Sequence, residues 1–222
     1  MLYGTLKRII DVTLGLIALF IVLPLFMVLC LVLRFSGEGE IFYFQERIGY
    51  KNRKFFIWKF ATMLKDSMNL GSGSITLKND FRVTGVGKIL RKTKLNELPQ
   101  IINIIKGDIS LVGPRPLVTK TFDAYSNKVQ ATIYDVKPGL TGIGSIVFRD
   151  EESLISGVSD QDPHEFYMEV IAPYKGELEM WYQKNKSLSM DIKLILLTAW
   201  VIVFKESTLY LKIFKDLPKR NF

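Results

Sequence analysis

From Val12 to Leu33 the chain runs for 22 residues, VTLGLIALFIVLPLFMVLCLVL, without a charged side chain. At 1.5 Å per residue such a helix is roughly 33 Å long, against a hydrocarbon core of about 30 Å, so it is long enough to enter a bilayer. Pro24 stands in the middle, where it removes one backbone donor and crowds the preceding turn. Basic residues flank both sides, Lys7 and Arg8 before the run and Arg34, Arg47, Lys51, Arg53 and Lys54 after it. Positive flanks favour the cytoplasmic side, so both ends are satisfied only if both face it. Two readings fit these residues: a helix broken at Pro24 that enters and leaves one leaflet, and a Pro-kinked single span. A cleaved signal peptide fits poorly, because the run exceeds an ordinary h-region and lacks a small-residue cleavage site.

The 222 residues suit one domain, or one domain with a membrane element, and suffice to bury a core. Mean hydropathy is +0.18 although 23% of residues are charged, which reflects the concentration of apolar residues near the N-terminus. A net charge of +8 and a pI near 9.4 point to anionic partners: nucleic acid, an acidic leaflet or nucleotide phosphates. Basic residues are not interleaved with aromatics in a stripe, which argues against nucleic acid. Cys30 is the single cysteine, so an internal disulfide framework is excluded and a reducing compartment fits. With His164 the single histidine, a His-based metal site or a Ser-His relay is disfavoured.

After the membrane segment the pattern predicts a mixed α/β chain dominated by helices. Ile41–Phe44 and Phe55–Phe60 read as short strands around a turn at Gly49–Arg53, and Leu70–Ser74 as a flexible loop. A turn at Thr84–Gly87 leads into a basic helix near Lys88–Lys92. Leu95, Leu98, Ile101, Ile102 and Ile105 keep helical spacing, with Gly107 as C-cap. Val136–Gly144 is a Pro/Gly-rich loop, and the acidic stretch Glu151–Glu165 a loop or short helix. Pro173–Asn185 and Ser189–Lys205 read as helices. In the second, Ile192, Ile195, Leu196, Ala199, Trp200 and Val203 form a stripe that either packs on the domain core or, with Trp181, lies at the bilayer interface. The tail Leu211–Phe222 alternates basic and apolar residues, as a membrane-touching or unstructured segment would.

The densest chemistry lies in residues 90–116, LRKTKLNELPQIINIIKGDISLVGPRP. Asn96 is a good N-cap, which puts Glu97 and Pro99 in the first turn of a helix. Taken alone this is a capped helix start. Arg91, Lys92 and Lys94 stand just before it, however, and a carboxylate among cations is held in its charged form. Arg115 lies between Pro114 and Pro116, which restrict its backbone and aim its guanidinium, a fork suited to phosphate or to a structural carboxylate such as Asp108. Lys59, Arg47 and Arg149 are weak signals taken singly, and Asp80 reads equally as a turn or a site residue. There is no G-x-G-x-x-G after a strand and no GxxxxGK[ST], so any nucleotide is held by another device.

The stretches KRIIDVTLGLIALFIVLPLF, YFQERIG, WKFATM, NDFRVTGVGKILRKT, LNELPQIINIIKGDISLVGPRP and KPGLTGIG, spread over about residues 6–145, together resemble the bacterial monotopic phosphoglycosyl transferases, also called bacterial sugar transferases. The resemblance implies a re-entrant N-terminal helix hinged at Pro24 (residues 1–35). A catalytic domain on the cytoplasmic face of the bacterial inner membrane (36–205), with interfacial amphipathic helices, and a basic, apolar tail (206–222) would follow. It implies transfer of a sugar-1-phosphate from a UDP-sugar to polyprenyl (undecaprenyl) phosphate, with release of UMP and with Mg²⁺ as cofactor, as the first membrane step of glycan, capsule, exopolysaccharide or O-antigen assembly. A homodimer is compatible with it. In the family the Asp of an Asp-Glu pair attacks the β-phosphorus. Glu97, Arg91, Lys59, Arg115 and Arg149 match family site positions, with Pro114 and Pro116 framing the arginine.

Two letters depart from the family pattern: Asn96 replaces the nucleophilic Asp, and Ala61 replaces an Arg of the more common KFRTM-like stretch. A carboxamide is a poor nucleophile, so Glu97 becomes the expected nucleophile, or else a Mg²⁺ ligand or base while the lipid phosphate attacks directly. The alternative is a non-catalytic membrane homologue that binds UDP-sugar or scaffolds a glycosyltransferase pathway.

Overall fold

The computed structural model describes residues 2–70, 80–158, 162–204, 206–220 and 222. The loop expected at 70–74 lies, apart from Leu70, outside the described residues.

Helix α1 spans Leu2–Arg34, with Pro24 inside it. The interruption expected at Pro24 is corrected: helical structure continues through it, so a re-entrant path has to bend within one element of 33 residues. A proline removes only one hydrogen bond, and the bonds on either side of it hold a long apolar helix together. The helix is long and apolar enough to cross a membrane. Its middle faces away from the rest of the chain, with Phe20 80% and Ile21 69% exposed.

Both ends of α1 are tied to one domain. Near the start, the Lys7 ammonium pairs with Asp191 at 2.6 Å, and Arg8 donates to the carbonyls of Ile104 and Ile105 at 2.6 Å each. Asp11 accepts from the Leu111 backbone N–H at 3.0 Å, and Gly15 lets Ile104 and Ile105 pack against the helix backbone. Near the end, Leu29 and Leu33 form a small core with Phe60 and Leu90.

Strands β1 (Phe42–Ile48) and β2 (Lys54–Phe60) form an antiparallel hairpin in which Tyr43 faces Lys59 and Arg47 faces Phe55. Its tight turn uses Lys51 and Asn52 in the left-handed region. The first strand runs four residues beyond the Ile41–Phe44 expected, because Phe44, Gln45, Glu46 and Arg47 keep the two-residue alternation of a half-solvated strand. Helix α2 (Gly85–Lys92) is capped by Thr84, whose Oγ1 accepts from Gly87 N–H at 3.0 Å. Helix α3 (Gln100–Lys106) ends at Gly107, whose φ of +92° is the C-cap geometry its sequence position predicts.

Strands β3 (Ser110–Val112) and β4 (Gly139–Thr141) pair in parallel, bracketing short helices α4 (Thr119–Phe122) and α5 (Asn127–Thr132). The contact between them is backbone on backbone. A Cβ on Gly139 would stand 2.1 Å from the Gly113 nitrogen, so the segment before Pro114 and the Pro/Gly-rich loop can approach only as glycines.

Short helices α6 (Ile143–Val147), α7 (Glu151–Ser156) and α8 (Pro163–Phe166) follow, then a π-helical turn at Tyr167–Ile171 running into α9 (Ala172–Asn185). Helix α10 (Leu188–Val203) and a short α11 (Leu209–Ile213) complete the chain. The main core gathers Ile133, Ile143, Ile171, Leu178 and Leu194, all fully buried. Trp181 is in this core and donates its Nε1–H to Asp216 at 2.9 Å. The face of α10 that packs inward carries Asp191, Leu194, Leu197 and Val201, while the stripe read from the sequence through Ile192, Leu196, Trp200 and Val203 points outward. The tail is packed rather than loose: Phe214 and Leu217 lie in the core, and Tyr174 donates its hydroxyl to the Pro218 carbonyl at 2.9 Å.

Candidate active site

Between α2 and α3 the chain turns sharply. Lys94 adopts the left-handed conformation (φ +60°), and a 3₁₀ turn at Leu95–Glu97 follows, with Leu98 and Pro99 leading into α3. Asn96 is therefore not the N-cap expected of it. A cap at Asn96 would bond the N–H groups two and three residues on. Pro99 has none, and Leu98 N–H already donates to the Leu95 carbonyl at 3.1 Å. Asn96 is instead buried, its Oδ1 without a protein partner.

The Pro114–Pro116 loop is fixed from behind. Gly139 N–H donates to the Pro114 carbonyl at 2.8 Å, Tyr134 donates its hydroxyl to the Arg115 carbonyl at 2.8 Å, and Arg47 donates to the Pro116 carbonyl at 3.1 Å. Held this way, Arg115 points its Nη2 at Glu97 Oε1, 3.1 Å away. The structural alternative, a pair with Asp108, is not adopted; Asp108 pairs with Lys106 at 3.2 Å.

These elements converge on one cavity of about 560 Å³, a volume usual for a nucleotide-sized ligand. Lys59, Arg91, Asn96, Glu97 and Arg115 all line it, together with Arg47 and Lys94. Burial pushes the Glu97 carboxyl up, but Arg115, Lys59 and Lys94 outweigh it and hold the group down at about 2. Burial, with Arg47 adding repulsion, pushes the Lys59 ammonium down to about 7. Burial, reinforced by Arg115, lowers Arg47 to about 10. With Lys65 and Lys175, seven basic side chains line the cavity against three carboxylates, Glu40, Glu97 and Glu151, and the excess positive charge suits a diphosphate.

A family model described as bacterial sugar transferase matches residues 2–205. The chain belongs to that family. Among the relatives of this bacterial sugar transferase is the uncharacterized sugar transferase EpsL of Bacillus subtilis, 32% identical over 90% of this chain and 89% of that one. The UDP-N-acetylgalactosamine-undecaprenyl-phosphate N-acetylgalactosaminephosphotransferase of Aeromonas hydrophila is 31% identical over 91% of this chain and 44% of its own length. The undecaprenyl-phosphate galactose phosphotransferase of Salmonella typhimurium is 32% identical over 90% and 41%. The chain thus spans most of the Bacillus relative and less than half of the other two.

Not every expected site residue of this sugar transferase reaches the cavity. Arg149 donates to the Val201 carbonyl at 2.9 Å and pairs with Asp150 at 3.1 Å, and it is not among the lining residues. Pro114 and Pro116 shape the arginine loop and do not line the cavity. Asp80 pairs with the buried Arg82 at 2.5 Å, an internal brace. Ala61, the second departure from the family pattern, does line the cavity. Sequence reading missed Tyr43 and Gln45, which share a strand face with Arg47 and line the cavity; the alternation in YFQER was the signal. It also missed Tyr167 and Lys175, while Glu151 falls in the loops around residues 140–152 on which sugar contacts were expected to depend.

Among the described residues no cluster of three or more potential metal-ligating side chains exists. Mg²⁺ commonly takes one or two protein oxygens and completes its shell with substrate phosphates and water. The Glu97 carboxylate and the orphaned Asn96 Oδ1 fit that modest demand.

Proposed function

We propose that this sugar transferase moves a sugar-1-phosphate from a UDP-sugar to undecaprenyl phosphate, giving the polyprenyl-diphosphate-sugar and UMP. The observation that carries the reading is the ionised Glu97 carboxylate within a cavity ringed by Lys59, Arg91, Lys94 and Arg115. The named activities of the Aeromonas and Salmonella relatives support it.

The cations around Glu97 hold it as a carboxylate, the form that attacks, and no general base is called for. A lipid phosphate needs none, being already largely dianionic near neutral pH. Glu97 is then the nucleophile. Its carboxylate oxygen forms a bond to the β-phosphorus as the bond from that phosphorus to the UMP oxygen breaks, and UMP leaves with the electron pair. The lipid phosphate oxygen next bonds to the same phosphorus and Glu97 departs as a carboxylate, an easy leaving group because its pKa is low. Arg115 and Lys59 neutralise charge on the transferring group. The orphaned Asn96 Oδ1 would help hold Mg²⁺, which would supply positive charge to offset that of the departing UMP.

The membrane arrangement belongs to the same proposal. Re-entry of α1 from the cytoplasmic face of the inner membrane is supported by basic residues at both ends and by the attachment of both ends to one domain, through Lys7–Asp191 and Leu33–Phe60. The outward apolar face of α10, with Leu196 64% and Val203 70% exposed, suits the same interface.

The test is UMP release from a panel of UDP-sugars with Mg²⁺, with and without undecaprenyl phosphate. Turnover with lipid, and a stoichiometric burst without it, is the expected result. Lipid-dependent release with no burst would replace the covalent route with direct attack. The substitutions Asn96 and Ala61 favour a second reading, a non-catalytic donor-binding homologue, and UDP-sugar binding without UMP release would establish it.

Lys59 makes the reaction pH-sensitive. Its pKa is lowered, so its charge is present below about 7 and lost above it. The kcat/KM for donor is expected to fall as pH rises past 7, approaching about tenfold per pH unit. Lys59→Arg should shift that limb well upward, since a guanidinium stays charged. An identical limb in the variant would assign the titration to another group.

A further inference from the structure

The cavity that holds Glu97 has a second polar end of different character. There Lys175 of α9 is 5% exposed, and its Nζ lies 2.7 Å from Glu151 Oε2. Tyr167 and Thr121, whose hydroxyl bonds the Val118 carbonyl at 3.1 Å, both line the cavity. Burial works against the Lys175 ammonium, but Glu151 and Tyr167 together outweigh it and keep Lys175 charged. A matched ion pair with two hydroxyls has no net charge to offer a phosphate. It suits a neutral ring rich in hydroxyl groups, for which a carboxylate is a strong acceptor.

The Glu151 side chain is 28% exposed against 7% for Lys175, so Glu151 is the more accessible member of the pair, and both line the cavity. The two polar ends share a border at Arg115, whose guanidinium is held protonated first by Glu97 and, after the opposing effect of burial, also by Glu151. A hexose on the β-phosphate is joined directly to the group that Arg115 would hold. The ribose of the nucleotide, which offers the same diol chemistry, is a further phosphate away.

We propose that Glu151, held by Lys175 and flanked by Thr121 and Tyr167, is the subsite that accepts hydroxyl hydrogen bonds from the hexose of the donor. This rests on the donor reading given above. Because a carboxylate only accepts, the subsite selects sugars that present a hydroxyl donor at this position.

Equilibrium binding to the full chain in detergent tests it, using UDP-glucose, UDP-galactose, UDP-N-acetylgalactosamine and, as the sugarless probe, UDP. Glu151→Gln keeps an acceptor for Lys175 and should fold. It is expected to weaken at least one UDP-sugar by about tenfold or more, the usual scale for a lost charged hydrogen bond, while UDP changes by less than about twofold. Thr121→Val, which leaves the Glu151–Lys175 pair intact, should show the same selectivity with a smaller loss. Equal weakening of UDP and the UDP-sugars would assign Glu151 to the ribose or to folding and overturn the proposal. Unchanged binding of every probe in Glu151→Gln would overturn it too. Failure of the unaltered chain to bind any probe would overturn the donor reading itself, and the subsite with it.

Discussion

Glu97→Gln is expected to lower UMP release by at least about 10³-fold, the scale on which enzymes lose turnover when a nucleophile is removed. The variant keeps the shape of the side chain and an oxygen for the Arg115 hydrogen bond at 3.1 Å, so the fold and the aim of Arg115 persist. The charge is lost. With it go the nucleophile and the main counter-charge to Arg115, and Lys59 loses an interaction that favours its protonation. Asn96→Ala, by contrast, should retain turnover to within about tenfold, since the Asn96 carboxamide neither attacks nor carries charge and supplies at most one oxygen to a metal. The comparison uses initial rates with the best donor at saturating lipid. A Glu97→Gln enzyme of near-normal rate would end the assignment of Glu97 as nucleophile. Collapse of Asn96→Ala with Glu97 intact would move the decisive role one residue back.

Asp191→Leu is expected to cost about 3–5 kcal/mol of stability, because it strands a buried ammonium. Asp191 accepts from Lys7 at 2.6 Å, from the Tyr182 hydroxyl at 2.7 Å and from the Tyr3 hydroxyl at 3.0 Å. Both charged side chains are nearly covered, 11% exposed for Lys7 and 8% for Asp191, so solvent cannot take over when one leaves. The loss would appear as a lowered Tm of the detergent-solubilised protein. The double variant Lys7→Met with Asp191→Leu should recover most of it, since an apolar pair can replace a buried ion pair without penalty. If the double variant were no more stable than the single one, the cost would belong to the tyrosine hydroxyls and not to the stranded charge.

What was legible in the sequence was local. The uncharged run announced α1, aromatic alternation announced the hairpin, and two prolines around Arg115 announced a fixed, aimed guanidinium; each is set by neighbours in the chain. Asn96 has the sequence context of a cap but not the partners, because Pro99 has no hydrogen to give and Leu98 N–H is already bonded to the Leu95 carbonyl. Which face of α10 is buried could not be read from its stripe. With apolar residues on both faces, periodicity finds two candidates, and Asp191 joined to Lys7 across the fold decides between them. Arg149 entered the expected site through its match to a family position, whereas its guanidinium is engaged by a carbonyl of α10, 52 positions away, and by Asp150. The pairing of Lys175 with Glu151 gave no local sign, since a buried pair is recognisable only once two helices are placed.

The bond from Leu111 N–H to Asp11 joins the membrane helix to strand β3, four positions before Arg115. On the transferase reading this makes α1 a depth gauge. The altitude of the reacting phosphorus above the hydrocarbon is set by how far the helix sinks, with no slack linker between the two. An acceptor is then admitted by the level at which its phosphate floats, not by the length of its tail. Acceptors of different chain length become interchangeable, while the thickness of the leaflet becomes part of the enzyme's specificity.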